Sequence, residues 1–464
     1  MLSYCVRRFL TRREPTLQSS QCGVALALQH IRRRFSTAGA TKEYYDQART
    51  LLQLCTDRYY ISPGQTHTDS FQRGMSCSYG PLGMELRENL LDQWWLSVTR
   101  SSAQVFGTST LNCSKDRAVR GDGQLKVVDM ESLNRVLDLK ELSKDQLIQQ
   151  VQLLLQSSAS LRTSFLQGAL EQYVPSLELV NRKLPFGLAE TGLCFQPSDG
   201  SGCPGEITQT SLVWFCSPRT SSQWLDHWAQ QRLQWWRKFA LGPSDFSSSD
   251  IPEDELAAGA SRGVRILYGF PWGQEPLETL LSRGHTELVQ AHRGVRNKLQ
   301  CRDGQKAVVP HVVSVTGNMD RGVKAYLYNS LQQLKREESK QKLLQRKVLK
   351  LHPVLAPVKV ALDMGGGANM ELRRVCEGLL QEFLEDRISA WPGYLETMPT
   401  STSMELLNAK YDEMGVLFTV VISKNTLESG LLQVRSRDTT IMQTMHISEI
   451  KNFLSRYISA ADNI

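Results

Sequence analysis

The stretch "YGPLGMELRENLLDQWW", residues 79–95, decides how the rest of the chain is read. Gly80, Pro81 and Gly83 mark a turn, and proline suits the first turn of a helix. Leu82, Leu86, Leu90 and Leu91, then Trp94 and Trp95, recur at helical spacing on one apolar face. Such a face needs a broad surface to cover. Downstream, "AETGLCFQPSD" at 189–199 and "GEITQTSLVWF" at 205–215 read as strands around a site. Neither holds the paired charged side chains that a reaction needs.

The chain has 464 residues, 41% hydrophobic and 22% charged, enough for roughly two to four globular domains. No run of about 18 apolar residues occurs, so no membrane-spanning helix is expected and no membrane partner is implied. Residues 1–40 stand apart, with seven arginines (Arg7, Arg8, Arg12, Arg13, Arg32, Arg33, Arg34) against the single acid Glu14. This Arg-rich, acid-poor, Ser-containing segment has the composition of a mitochondrial import peptide, with a disordered basic tail as the plainer alternative. The step Arg33-Arg34-Phe35-Ser36 resembles a matrix-peptidase site that cuts after Phe35, which points to the matrix. Six of the chain's seven net positive charges sit in this segment, so the remainder is close to neutral. A nucleic-acid surface, if present, has to be a local patch.

Of ten cysteines, eight lie beyond that segment, and none forms a C-x-x-C pair. With eight scattered histidines, no zinc site, other metal or cofactor is expected, and the thiols read as free.

Residues 131–183 are strongly helical in pattern. Ser143 and Gln146 fit a capping box, and Leu147, Ile148, Val151, Leu154 and Leu155 follow at helical spacing. A second stripe, Leu161, Phe165, Leu166, Ala169, Leu170 and Tyr173, stops at Pro175. The pair reads as a helical hairpin joined by "QSSAS". Too small to stand alone, it either packs on its parent domain or pairs with its copy as a four-helix bundle.

Residues 242–260 read as a polar loop, and a helix is expected over 321–334. The segment "KREESKQKLLQRKVLK" at 335–350 holds seven basic residues and two acids, a pattern usual for a solvated helix face or linker. From Val354 onward strands and helices alternate: "VLAPVKVALDM", "ELRRVCEGLLQEFLED", "VLFTVVIS", "LLQVRSRD" and "SEIKNFLSRYI" make a compact α/β domain of about 110 residues.

The words and their order resemble the class II glycyl-tRNA synthetases. "YGPLGMELRENLLDQWW" resembles the first part of that core, "LYGFPWGQEPLETLLSRG" its Phe-Pro-x-Gly stretch, "PHVVSVTGNMDRGVKAYL" its third class motif, and the last 110 or so residues its anticodon-binding domain. The resemblance implies an α/β (α+β) chain with a six- or seven-stranded antiparallel sheet, an inserted helical hairpin and a C-terminal anticodon-binding-like domain. The implied divisions are 1–40 targeting, 41–130 core, 131–183 hairpin, 184–334 core, 335–350 basic linker and 351–464 C-terminal domain.

Amino-acid activation needs arginines on the ATP phosphates as charge develops. The family's Phe-Arg-x-Glu strand aligns with Phe195, Gln196, Pro197 and Ser198, so the phosphate arginine is Gln196 and its acid Ser198. On the returning strand the last acid is Ser211. In the third motif only Asp320 and Arg321 remain, which fits a structural ion pair at a helix start. Losing one such contact costs roughly a hundredfold to a thousandfold in rate, and several are missing.

A synthetase-shaped chain without its reaction, carrying an import peptide, is similar to the accessory subunits of mitochondrial DNA polymerase. That resemblance implies a non-catalytic homodimer that binds the polymerase's catalytic subunit and duplex DNA in the matrix nucleoid and raises processivity. It also implies an intermolecular four-helix bundle, with Leu147, Val151, Leu154, Phe165, Leu166 and Leu170 as seam residues. For DNA, Lys335, Arg336, Lys340, Lys342, Arg346 and Lys347 then read as phosphate contacts; without interleaved aromatics they favour duplex over single strands. The alternatives are a degenerate mitochondrial glycyl-tRNA synthetase, a tRNA-binding pseudo-synthetase and a purely structural dimer.

Overall fold

The computed structural model describes residues 38–63, 78–100, 104–114, 125–138, 143–197, 205–304, 306–338, 342–365, 369–396 and 404–462. The expected import peptide, Cys77, Ser198, Cys203 and Lys340 lie outside the described residues, as do the side chains of Lys335, Arg336 and Lys342. The chain divides into two units, Met1–Thr50 and Leu51–Ile464. The described part of the first is the opening of helix α1 (Ala38–Asp57). Everything below concerns the second.

Helix α2 (Pro81–Thr99) is the opening stretch, with proline at its start and Leu82, Leu86, Leu90, Trp94 and Val98 buried. A Cβ on Gly83 would lie 1.9 Å from the Tyr60 carbonyl oxygen, so only glycine lets the helix start press this closely on the preceding backbone. There follow β1 (Val105–Gly107), β2 (Cys113–Ser114), β3 (Lys126–Val127), α3 (Met130–Leu137), α4 (Lys144–Ser157), β4 (Ala159–Leu161), α5 (Leu166–Glu171) and α6 (Tyr173–Leu177). The central layer comes next: β5 (Phe186–Gln196), β6 (Gly205–Cys216), α7 (Ser221–Lys238), β7 (Phe246–Asp250), β8 (Arg262–Phe270) and β9 (Gly273–Ser282). After α8 (Thr286–Ala291) and the β10 (Cys301–Asp303) and β11 (Lys306–Val308) hairpin, β12 (His311–Asn318) and α9 (Met319–Ser330) complete it. The sheet has seven strands in the order β1-β5-β6-β12-β9-β8-β7, antiparallel apart from the β1–β5 pair. This is the class II synthetase-like sheet that the motifs imply.

Beyond it lie β13 (Leu331–Glu338), β14 (Lys342–Leu349), β15 (Val360–Met364), α10 (Met370–Glu385), β16 (Ala390–Trp391) and α11 (Met404–Glu413). The chain closes with β17 (Phe418–Ile422), α12 (Lys424–Ser429), β18 (Leu431–Ser436), β19 (Met442–His446) and α13 (Ile447–Asp462). A five-stranded mixed sheet, β16-β15-β17-β18-β19, forms the C-terminal α/β domain.

Three local expectations are corrected. The 242–260 loop contains the edge strand β7. The helix expected over 321–334 ends at Ser330, and the basic run is a β-hairpin in which Leu331 pairs with Leu349 and Glu338 with Lys342. As a helix, this run would set Arg336 four residues from Lys340, and Arg346 four residues from both Lys342 and Lys350, all like-charge neighbours.

The third correction concerns residues 131–183. The first half is a helical hairpin, and α4 opens with the expected Ser143/Gln146 capping box. The second half is not one helix but β4 and the short α5 and α6. Phe165 and Leu170 are 1% exposed, Leu170 belongs to the chain's own core with Tyr173, Leu177, Phe186 and Phe215, and Leu166 packs against that core. These three proposed seam residues are therefore occupied inside the chain. Arg162, held by three groups of the sheet region, and Pro175 prevent the stripe from running on as a free helix.

Candidate functional site

The strands that would carry an ATP site are present in register. Glu190 on β5 pairs with Ser211 on β6, which pairs with Thr316 on β12. Directly paired residues project to one face, and alternate residues along a strand share it. Phe186, Leu188, Glu190 and Gln196 therefore line one face of the sheet with Ser211, Val213 and Phe215. That face is covered in part by α5 and α6, whose Ala169, Leu170, Tyr173 and Leu177 pack on Phe186, Leu188 and Val213.

The single acid in the row, Glu190, is already matched. Its carboxylate lies 3.1 Å from Arg162 Nη1 and accepts from the Thr110 backbone N–H at 2.7 Å and hydroxyl at 2.8 Å. Arg162 also donates to the carbonyls of Leu193 (2.7 Å) and Thr110 (2.8 Å) and lies over the Phe165 ring at 4.2 Å. A Cβ on Gly192 would come within 2.9 Å of Arg162 Nη2, so the strand's glycine makes room for this guanidinium.

The neighbouring row repeats the pattern on the opposite face. Glu278 on β9, opposite Gly317, is bound by Arg232 of α7 through Nε–Oε2 and Nη2–Oε1 contacts of 2.9 Å. Trp94, the end of the opening stretch, donates to the same carboxylate at 2.9 Å, and the Arg232 and Glu278 side chains are 3% and 0% exposed. Arg232 also donates to the Ser97 hydroxyl (2.8 Å) and lies 4.2 Å over the Trp235 ring.

The residual Asp-Arg of the third motif is structural, but the two are not each other's partners. Asp320 accepts from the Tyr79 hydroxyl (2.8 Å) and the Thr208 backbone N–H (2.6 Å). Arg321 pairs with Glu275 at 3.0 Å and donates to the Pro276 carbonyl at 2.6 Å. Tyr79 and Trp94, near the two ends of the opening stretch, thus anchor an acid of α9 and an acid of β9. Ser211 is 3% exposed, and Gln196 is exposed at the end of β5. Among the described residues no His/Cys/Asp/Glu cluster could hold a metal ion.

Two further regions bear on the expected surfaces. On α3 and α4 no residue is buried; Leu147, Val151 and Leu154 are half-buried, while Ile148, Leu153 and Leu155 are 45%, 56% and 40% exposed. In the basic hairpin, Arg346 is committed inward: Nε lies 2.8 Å and Nη2 2.5 Å from Asp412, which also takes both Nη atoms of Arg435 at 3.0 Å. The Arg346 guanidinium is therefore engaged by an acid of its own chain. Arg435 and Arg437 of "LLQVRSRD" point inward too, Arg437 donating to the carbonyls of Leu349, Leu351 and Gly415.

Motif matching locates the lost groups, Gln196 and Ser211, but misses Arg162 and Arg232. A signal for Arg232 exists in "WLDHWAQQRLQWW": it occupies the stripe position after Leu225 and Trp228 and before Trp235, where an arginine demands a buried acid. Nothing local marks Arg162.

Fold and site define a class first: a synthetase-like scaffold with an anticodon-binding-type C-terminal domain. Residues 360–457 match the family model described as "Anticodon binding domain". The glycine--tRNA ligase of Thermus thermophilus is 25% identical over 87% of this chain and 97% of its own length. Higher similarity is found to DNA polymerase subunit gamma-2 of Mus musculus, 49% identical over 89% of this chain and 91% of that protein. DNA polymerase subunit gamma-2, mitochondrial, of Xenopus laevis is 47% identical over 93% and 91%. The chain belongs to the DNA polymerase subunit gamma-2 family.

Proposed function

We propose that the protein is a non-catalytic accessory subunit of the mitochondrial DNA polymerase, which binds the catalytic subunit and duplex DNA and raises processivity. The observation that carries this reading is the capture of Glu190 by Arg162 of the same chain, within a member of a polymerase-subunit family. A carboxylate fixed this way has no charge to offer an amino acid, and Gln196 offers none to a phosphate. Processivity follows from effective concentration: a second attachment to DNA holds the polymerase near the primer end between binding events.

The Arg-rich N-terminus and the word "mitochondrial" in the frog relative's name support import to the matrix, with the nucleoid as working site. The half-buried Leu147, Val151 and Leu154 of α4, beside the exposed Ile148, Leu153 and Leu155, support a homodimer built as a bundle of four helices, narrower than the whole 131–183 segment. Lys335, Arg336, Lys340, Lys342 and Lys347 stand as the duplex-contacting residues of the basic hairpin, without Arg346. The decisive experiment combines the full chain with the catalytic subunit and measures product length on a primed template. No lengthening would sink the reading.

The match of residues 360–457 to an anticodon-binding model supports a second reading, a tRNA-binding pseudo-synthetase. Competition between tRNA and duplex DNA for the free protein separates them. A pyrophosphate-exchange assay with glycine is expected to give no signal.

A further inference from the structure

Several arginines near the surface are matched by acids of the same chain: Arg262 by Asp226 and Asp250, Arg265 by Glu255, Arg283 by Glu287, Arg373 by Glu377. One surface instead gathers cations without such partners. Residues 291–306, "AHRGVRNKLQCRDGQK", hold five basic residues against one acid. Lys183, Arg219, Arg293, Lys298, Arg302 and Lys306 are all exposed, and none has a carboxylate partner among the described residues.

The fold brings them together. A parallel bridge joins Lys183 to Arg302, and the Arg302 backbone N–H donates to the Arg182 carbonyl at 2.7 Å. The β10–β11 hairpin sets Asp303 opposite Lys306. The one acid is diverted, since Asp303 accepts the Ser217 hydroxyl at 2.5 Å; the Ser217 oxygen in turn accepts from the Arg219 backbone N–H at 3.4 Å, bringing Arg219 to the same surface. Lys298 lies in a 3-10 turn (Arg296–Leu299) fixed from beneath, because Leu299 is fully buried and its carbonyl accepts from the Tyr173 hydroxyl at 2.9 Å. The cations therefore stand on a platform anchored in the core rather than on a loose loop.

We propose that this surface, carrying Lys183, Arg219, Arg293, Lys298, Arg302 and Lys306, is a phosphate-binding face for the backbone of duplex DNA, distinct from the basic run at 335–347. It rests on the reading that the protein engages DNA. No Phe, Tyr or Trp interrupts residues 291–306, so base stacking is not offered and the contact carries no sequence information. Unpaired cations on a rigid base meet phosphates without first breaking internal ion pairs.

The test uses the full chain and a labelled duplex of arbitrary sequence, with affinity measured by anisotropy across a salt series. Each phosphate contact contributes about 0.9 to the slope of log affinity against log salt. Replacing the six residues by alanine is expected to flatten that slope by up to about five, equally for unrelated sequences. The milder pair Lys298→Glu and Lys306→Glu, whose folding is checked by thermal melting, is expected to weaken binding in the same direction. A wild-type slope in both variants overturns the proposal; if alanines at 335, 336, 340, 342 and 347 then abolish binding, DNA engagement stands without this face. Failure of the unmodified protein to bind duplex overturns both. Preferential loss of tRNA rather than duplex binding in the variants would make this an RNA face and overturn it too.

Discussion

Arg162 and Glu190, 28 residues apart in sequence, form an ion pair of 3.1 Å with each side chain 5% exposed. It ties the segment that precedes α5 to the strand that would otherwise face a substrate. Removing one partner from a buried pair leaves the other charge uncompensated, at a cost of about 3–5 kcal/mol. Arg162→Met and Glu190→Gln are each expected to lower stability by roughly that amount, with the double variant losing less than the sum. Urea denaturation of all four proteins supplies the double-mutant cycle. Additive losses would show that the pair is uncoupled.

The seam residues divide into two kinds with different expected phenotypes. Leu147→Glu, Val151→Glu and Leu154→Glu place charge on α4 at positions the chain leaves only half-buried, and should give a folded monomer by sedimentation. Phe165→Ala and Leu170→Ala open cavities in the chain's own core and should cost about 2–5 kcal/mol of stability while leaving the proposed dimer intact. Monomers from the second set without loss of stability would reverse this division.

Asp412 is 1% exposed between Arg346 and Arg435. Asp412→Asn removes the charge both guanidiniums answer and is expected to cost about 3–5 kcal/mol. Arg346→Ala should lower the melting temperature yet leave the salt slope of duplex binding unchanged, in contrast to alanine at Lys335 or Lys347. A flattened slope in a fully stable Arg346→Ala protein would return this residue to the DNA surface.

The sheet and the C-terminal domain were legible because their residues obey local rules. Pro81 and the leucine spacing specify α2, and "VLFTVVIS" is too apolar and β-branched for anything but a buried strand. The site was legible only as loss, through Gln196 in place of an arginine. What fills it was not, since Arg162 acts on an acid 28 residues away; Arg232, on the opposite face of the sheet, reaches its own acid across 46. The stripe from Leu161 to Tyr173 misled for a related reason. Apolar periodicity reports that a face is covered, not which chain covers it, and here the cover is the same chain's sheet. The basic hairpin was missed, because its charge count reads as a solvated helix face or linker; the like-charge spacing at Arg336, Lys340, Lys342 and Arg346 that disfavours a helix is the signal that reading lacks.

Lys359 gives the fold a pH dependence of defined sign. Burial, aided by the nearby Arg437 charge and opposed by Glu85, lowers its pKa from the ordinary lysine value to about 7. Its Nζ donates to the carbonyls of Pro353 (2.6 Å), Val354 (3.0 Å) and Ala356 (2.7 Å), with no carboxylate among these contacts. Between about pH 7 and the unfolded value near 10.4 the unfolded chain holds a proton that the folded chain lacks, so stability rises with pH through this window. Below about 7 both states are protonated and the dependence vanishes. Unfolding free energies of the wild type and Lys359→Met, measured at about pH 6, 7.5 and 9, should differ in slope by up to about 1.4 kcal/mol per pH unit in the alkaline half. Equal slopes would mean that the folded protein keeps the lysine charged, held by its three carbonyls.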